Sequence, residues 1–199
     1  MSKAPDPARR RESSRQAILA ATGELCRQVG YGRLTIEAIA ARAGVSKKTI
    51  YRWWPSKGAV VLELLDEIAT VAAAPPDTGD LAADLHSMLT EVIGMLTPPH
   101  HSPGTGVIAE ALQDPDLARD LRERIIRPRI ATFEQRLRRA QEAGQLHPDA
   151  DLDIALDLLY GPLYHRMAFH LGMPDPAYLE SLITHVLRAL TPPTPTTPR

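Results

Sequence analysis

Eighteen prolines punctuate the 199-residue chain, yet none lies between Pro7 and Pro55. An interior proline removes a backbone donor and costs a helix about 3 kcal/mol, so this window can be helical throughout. Its apolar residues recur with helical spacing. Ile18, Ala21, Leu25, Cys26 and Val29 form one stripe, and Gly30 with Gly32 supplies a stop. Thr35 can cap a second, short helix with the face Ile36, Ile39, Ala40 and Ala43; Ala38 stands where a capping box would place glutamate. Gly44 breaks that helix, Val45 can plug the corner, and Ser46 can cap a third helix running to about Trp53. Ser56 can cap a fourth, with Val61, Leu64, Leu65 and Ile68 on one face.

The remainder also reads as helices. The spacing predicts one from Leu81 to Leu96, and a short one around Val107–Leu112 after a loop at His100–Gly104. A longer one from Asp114-Pro115 to near Gly144 should kink at Pro128. Another spans Asp151–Leu171 through Gly161-Pro162, and the last runs from Pro176 to Leu190. No alternating strand pattern competes, so the fold class expected is all-α. Residues 1–14, an Arg-rich basic arm, and the Thr/Pro-rich tail 191–199 read as disordered.

Other classes are disfavoured. No apolar run approaches the roughly 20 residues that cross a bilayer, and the polar N-terminus does not resemble a secretory signal. A cytoplasmic protein without membrane partners is expected, in keeping with the single Cys26. The histidines show no recognised metal-ligand spacing: His100 and His101 are adjacent, and His165 and His170 are five apart. Phosphate-loop, nucleophile-elbow and His-Glu-x-x-His patterns are absent, so no catalytic residues, metal or cofactors are expected. Acidic residues at helix starts (Asp80, Asp114, Asp116, Asp149, Asp151) suit the helix dipole.

The net charge of −1 conceals a division. Residues 1–57 carry 12 Lys/Arg against 4 Asp/Glu, and the remainder 11 against 20. A basic head on an acidic body suggests that the head meets a polyanion. Three of the four lysines (Lys47, Lys48, Lys57) and four of the nine aromatics (Tyr31, Tyr51, Trp53, Trp54) cluster there. Two short helices joined by a Gly-containing turn form a helix-turn-helix, whose second helix can enter a major groove about 12 Å wide.

The run Gly44-Val45-Ser46-x-x-Thr49-Ile50-Tyr51-x-x-Trp54-Pro55-Ser56-Lys57-x-x-Val60 resembles the DNA-binding domain of TetR/AcrR-type regulators, over about Arg15 to Val71. The exposed start of the third helix, Lys47, Lys48 and Thr49 with Arg52 one turn on, can meet base edges; the resemblance implies base contacts from Lys47, Lys48 and Thr49 and phosphate contacts from Thr35, Tyr51, Trp53 and Lys57. Lys48 and Trp53 depart from the residues common in the family. Glu37 either accepts from a cytosine amino group or lies off the DNA. Arg9, Arg10 and Arg11 are either a minor-groove arm or a solvated tail. Ile36, Ile39, Ile50 and Trp54 read as core.

The domains expected are a helix-turn-helix domain at 15–57, a connecting helix at 58–74, and a ligand-binding and dimerisation domain at 75–190. The body's segment Leu159-Tyr160-Gly161-Pro162-Leu163-Tyr164-His165-Arg166 resembles one subgroup of the family. By that resemblance the last two helices pair across a two-fold axis, through Leu159, Leu163, Leu179, Leu182, Ile183, Val186, Leu187 and Leu190. A pocket for an unknown small-molecule effector is implied, with Met88, Val92, Met95, Phe133, Tyr160 and Tyr164 as lining residues that could equally be core. The expected function is a homodimeric repressor that binds an inverted-repeat double-stranded DNA operator and is released by its effector. A non-specific nucleic-acid-binding protein and an all-helical enzyme are the alternatives.

Overall fold

The computed structural model describes residues 7–70, 76–98 and 101–191, and among them the regular structure is all helical. The helices are α1 (Pro7–Val29), α2 (Ile36–Ala43), α3 (Lys47–Tyr51), α4 (Lys57–Thr70), α5 (Leu81–Leu96), α6 (Pro103–Ala111), α7 (Pro115–Leu121), α8 (Arg127–Glu142), α9 (Leu152–Ala168) and α10 (Pro176–Leu190). They form two compact units. One comprises the described residues up to Thr70 with Met95–Ile125, the other those from Pro76 to Gly94 with Ile126–Thr191. Residues 95–125, placed in the body by the sequence reading, thus group with the N-terminal helices.

In the first unit α1 packs on α2 and α4, and α4 on α6. Ile18, Cys26, Leu34, Ile39, Ile50, Trp54, Val60 and Val61 form its core. Val29 and Ile68, at the ends of their expected stripes, are exposed instead. The basic arm requires correction: residues 7–14 are helical, because Pro7 opens α1 and Glu12 links to Arg15 and Gln16 one turn on. Residues 1–6, 71–75, 99–100 and 192–199 lie outside the described residues, and with them part of the expected arm, tail and connecting segment.

Two further boundaries differ from expectation. The short helix begins at Pro103 rather than near Val107, since Ser102 caps it and proline fits a first helical turn. The long helix expected from Asp114 is divided into α7, a π turn at Arg122–Ile126, and α8. The wide turn falls just before Pro128, where the missing N–H deprives a carbonyl of its ordinary partner. α9 also stops short of Leu171. His170 takes a left-handed φ of 53°, and the Arg166 guanidinium donates to the carbonyls of Leu171 and Gly172.

In the second unit α8 packs on α9, and α9 on α10, around Phe133, Leu137, Ala155, Leu159, Leu163 and Ile183. A charged pair lies inside this apolar setting. Arg136 donates to Asp84 at 2.7 Å, with 3% and 1% of the two side chains exposed. The Thr78 hydroxyl donates to the same carboxylate at 2.7 Å. Burial alone would raise the Asp84 pKa, but the hydrogen bonds from Thr78 and Arg136 outweigh it and hold the carboxyl below its ordinary value.

Candidate nucleic-acid interface and body cavity

The turn between α2 and α3 is set by its caps. The Thr35 hydroxyl accepts from the Ala38 N–H at 3.1 Å and opens α2. Gly44 closes it in the left-handed conformation at φ 66°, which a side chain would strain. Ser46 then accepts from the Thr49 N–H at 3.1 Å and opens α3. Ile39 and Ile50, both fully buried, pin the two helices to the core, while the Arg42 guanidinium ties α2 to Glu24 and Gln28 of α1 at 2.9 and 3.1 Å. Val45, expected to plug the corner, is half-buried.

This anchoring leaves one edge outward. Lys47, Lys48, Tyr51 and Arg52 are exposed, and Thr49 is half-exposed with its hydroxyl 2.9 Å from that of Ser46. Lys47 donates to Glu37 at 2.9 Å; this hydrogen bond lowers the Glu37 pKa and raises that of Lys47. Both groups are exposed, so the pair contributes little stability and leaves Lys47 available to exchange partners. Glu37, whose role the sequence left open, therefore sits beside Lys47 of α3. The Lys48 and Arg52 side chains have no polar partner among the described residues. Trp53 is half-buried and packs against Trp54, with ring centroids 5.5 Å apart. Trp54 itself is buried, its indole N–H donating to Glu63 at 3.0 Å.

Lys57 differs from the other cations. Its ammonium lies 4.5 Å from the Tyr31 ring centroid, 3.4 Å from the Tyr31 carbonyl and 4.0 Å from the Glu110 carboxylate of α6. The Tyr31 hydroxyl donates to the same carboxylate at 2.7 Å, and burial, reinforced by this bond, pushes its pKa upward. Gly106 allows the close approach of α6, since a Cβ there would overlap the Tyr31 ring. Sequence reasoning missed this cluster because Glu110 lies 79 residues from Tyr31. It also missed Arg15, which donates to Glu63 and Glu67 at 2.7 Å each and bolts α1 to α4.

The second unit contains a cavity of about 220 Å³ between α8 and α9, lined by Ile126, Arg129, Ile130, Leu156, Asp157, Tyr160, Gly161 and Tyr164. Of the six expected lining residues, it is lined by Tyr160 and Tyr164. Met88, Val92 and Phe133 are buried core, because their apolar side chains fill helix contacts; Met95 groups with the first unit, its carbonyl accepting from Ser102. Phe133 supports the cavity from behind, its ring centroid 5.0 Å from that of Tyr160.

The expected dimer residues also divide. Leu159, Leu163, Leu179, Ile183 and Val186 are buried within the subunit. Leu182, Leu187 and Leu190 remain half-exposed. Exposed apolar side chains in this region include Ile154, Leu158 and Phe169 along α9 and its end, and Tyr178 at the start of α10. Among the described residues, no group of three or more His, Cys, Asp or Glu could hold a metal ion, and no helix is long and apolar enough to cross a membrane.

Residues 18–64 match the family model "Bacterial regulatory proteins, tetR family", and residues 75–186 match "Tetracyclin repressor-like, C-terminal domain". The chain is 30% identical over 181 residues to an uncharacterised HTH-type transcriptional regulator, YdeS, of Bacillus subtilis, with 91% of each covered. It is 34% identical over 183 residues to another such regulator, Rv1556, of Mycobacterium tuberculosis, covering 92% of this chain and 89% of that one. Among solved structures, the TetR family transcription regulator SCO0332 superposes with a TM-score of 0.71 at 38% identity, covering 90% of this chain and 99% of that one.

Proposed function

This chain belongs to the tetR family of bacterial regulatory proteins, and on that premise we propose that it is a homodimeric repressor whose α3 reads an inverted-repeat operator and whose body releases DNA when a small molecule binds. The observation that carries this reading is the outward edge at the start of α3, where Lys47, Lys48 and Thr49 stand at the end of a turn fixed by Thr35, Gly44 and Ser46. Such an edge fits a major groove. Lys47, Lys48 and Thr49 are the base-reading candidates, with Arg52 one turn on, while Thr35, Tyr51, Trp53 and Lys57 surround them as backbone contacts. The repressor sense follows the family to which the body's model belongs.

Two heads on a two-fold dimer would read half-sites about 34–36 Å apart, or a related spacing. The self-complementary surface for that dimer is the outward face of α9 and α10, with Ile154, Leu158, Phe169, Tyr178 and Leu182. Effector control comes from the cavity between α8 and α9, whose occupancy and DNA affinity would be linked reciprocally. Selection of bound fragments from random DNA tests the reading: an enriched inverted repeat bound by two subunits supports it. Equal affinity for all sequences would favour the non-specific alternative instead.

A further inference from the structure

The chemistry of the α8–α9 cavity narrows the class of molecule it can take; the argument rests on the reading that the body binds a small effector. Size comes first. A cavity of about 150 Å³ lined by aliphatic and aromatic side chains admits benzene, so one of about 220 Å³ has room for a substituted single ring or a small fused pair. Ile126, Ile130 and Leu156 supply aliphatic wall. The Tyr160 and Tyr164 rings are nearly parallel, at 19° with centroids 6.3 Å apart, and present flat surface.

The polar groups set the end chemistry. Among the described residues the buried Tyr160 hydroxyl has no hydrogen-bond partner, a condition that is costly and that an acceptor on a ligand would relieve. Burial pushes the pKa of both tyrosines upward, so each remains protonated at neutral pH and can donate. Arg129 lies close enough for its charge to act on both hydroxyls. A guanidinium that lines the same cavity as phenolic donors suits a carboxylate, whose oxygens accept from several N–H and O–H groups at once. Asp157 also lines the cavity, but its side chain is exposed to solvent, which screens its repulsion.

We propose that this cavity binds a small, flat aromatic carboxylate, its ring among Ile126, Ile130, Leu156 and the two tyrosines, and its carboxylate accepting from Arg129 and the Tyr160 hydroxyl. Calorimetry on the full chain with benzoate, and with benzamide and benzylamine as uncharged and cationic counterparts, tests it. Benzoate should bind most tightly. Arg129→Gln should weaken benzoate by about tenfold or more while leaving benzamide unchanged, and Tyr160→Phe, which keeps the ring, should weaken it severalfold. Equal binding of benzoate and benzamide, preference for benzylamine, or unchanged affinity in both variants would overturn the proposal. So would the failure of all three probes to bind a protein that still selects its operator, and in that case the regulator reading would survive. Benzoate binding that leaves operator affinity unaltered would instead overturn effector coupling and keep the site.

Discussion

In the α2–α3 turn, the side chains expected to meet DNA stand outside the core, whereas in α9 and α10 most side chains expected to meet a second subunit are buried inside their own. Lys48 and Arg52 project from a helix that Ile50 anchors; Ile183, with 3% of its surface exposed, is itself an anchor. The difference lies in what specifies each region. Caps, a left-handed glycine and a single buried isoleucine determine which edge of α3 faces out, and all are local. On α9 three functions share one helix: Leu159 and Leu163 face the core, Tyr160 and Tyr164 the cavity, and Ile154 and Leu158 the solvent. Apolar residues serve all three, so hydrophobic periodicity alone does not separate them.

The largest expected effect comes from placing the same charge on two of these faces. Ile183→Asp should leave a carboxylate within the α9–α10 contact, adding a desolvation cost of roughly several kcal/mol to the lost packing. The body should then melt early or fail to fold. Leu158→Asp should yield a folded monomer with an unchanged circular dichroism spectrum and lost operator affinity. Sedimentation and thermal melts distinguish the two, and a folded monomeric Ile183→Asp would reverse the assignment of faces.

Next in size is the buried pair of the body. Arg136→Ala leaves Asp84 unpaired and should cost about 3–5 kcal/mol, read as a lowered denaturation midpoint. The pH dependence has a defined sign. Because the folded Asp84 pKa is depressed, its contribution is present above the ordinary aspartate value and is lost as pH falls through the lowered folded value. The wild type should therefore lose this stability only below about pH 4. A variant as stable as wild type at neutral pH would contradict the pair's role.

A smaller effect is expected where the head touches α6. Lys57→Ala should weaken binding to all sequences alike and flatten the salt dependence by about one unit. Glu110→Gln, which removes the nearby negative charge, should shift affinity in the opposite direction. A changed base preference in Lys57→Ala would place this lysine among the reading residues.

Much of the fold was legible because its signals are local. α5 and α10 lie where periodicity and proline placed them, Thr35 and Ser46 cap as read, and Asp114 and Asp151 stand at helix starts as read. What the sequence did not show depends on chain-distant partners. The Asp84–Arg136 pair spans 52 residues and the Tyr31–Glu110 bond 79. The π turn before Pro128 replaced an expected kink, since a proline can be accommodated in more than one way. In the body, Phe133 and Val92 share composition with a pocket wall, and only packing showed them to be core.

The claim that the start of α3 reads sequence while the surrounding groups hold the backbone is tested most directly by comparing base-preference matrices for the wild type and Lys48→Ala, at one salt concentration. Lys48 is exposed and has no polar partner among the described residues, and its ammonium suits guanine O6 and N7. Discrimination should fall by about 1–3 kcal/mol at one symmetric pair of operator positions, with the other positions unchanged. A matrix identical to the wild type's, accompanied by uniformly weaker binding, would contradict the account.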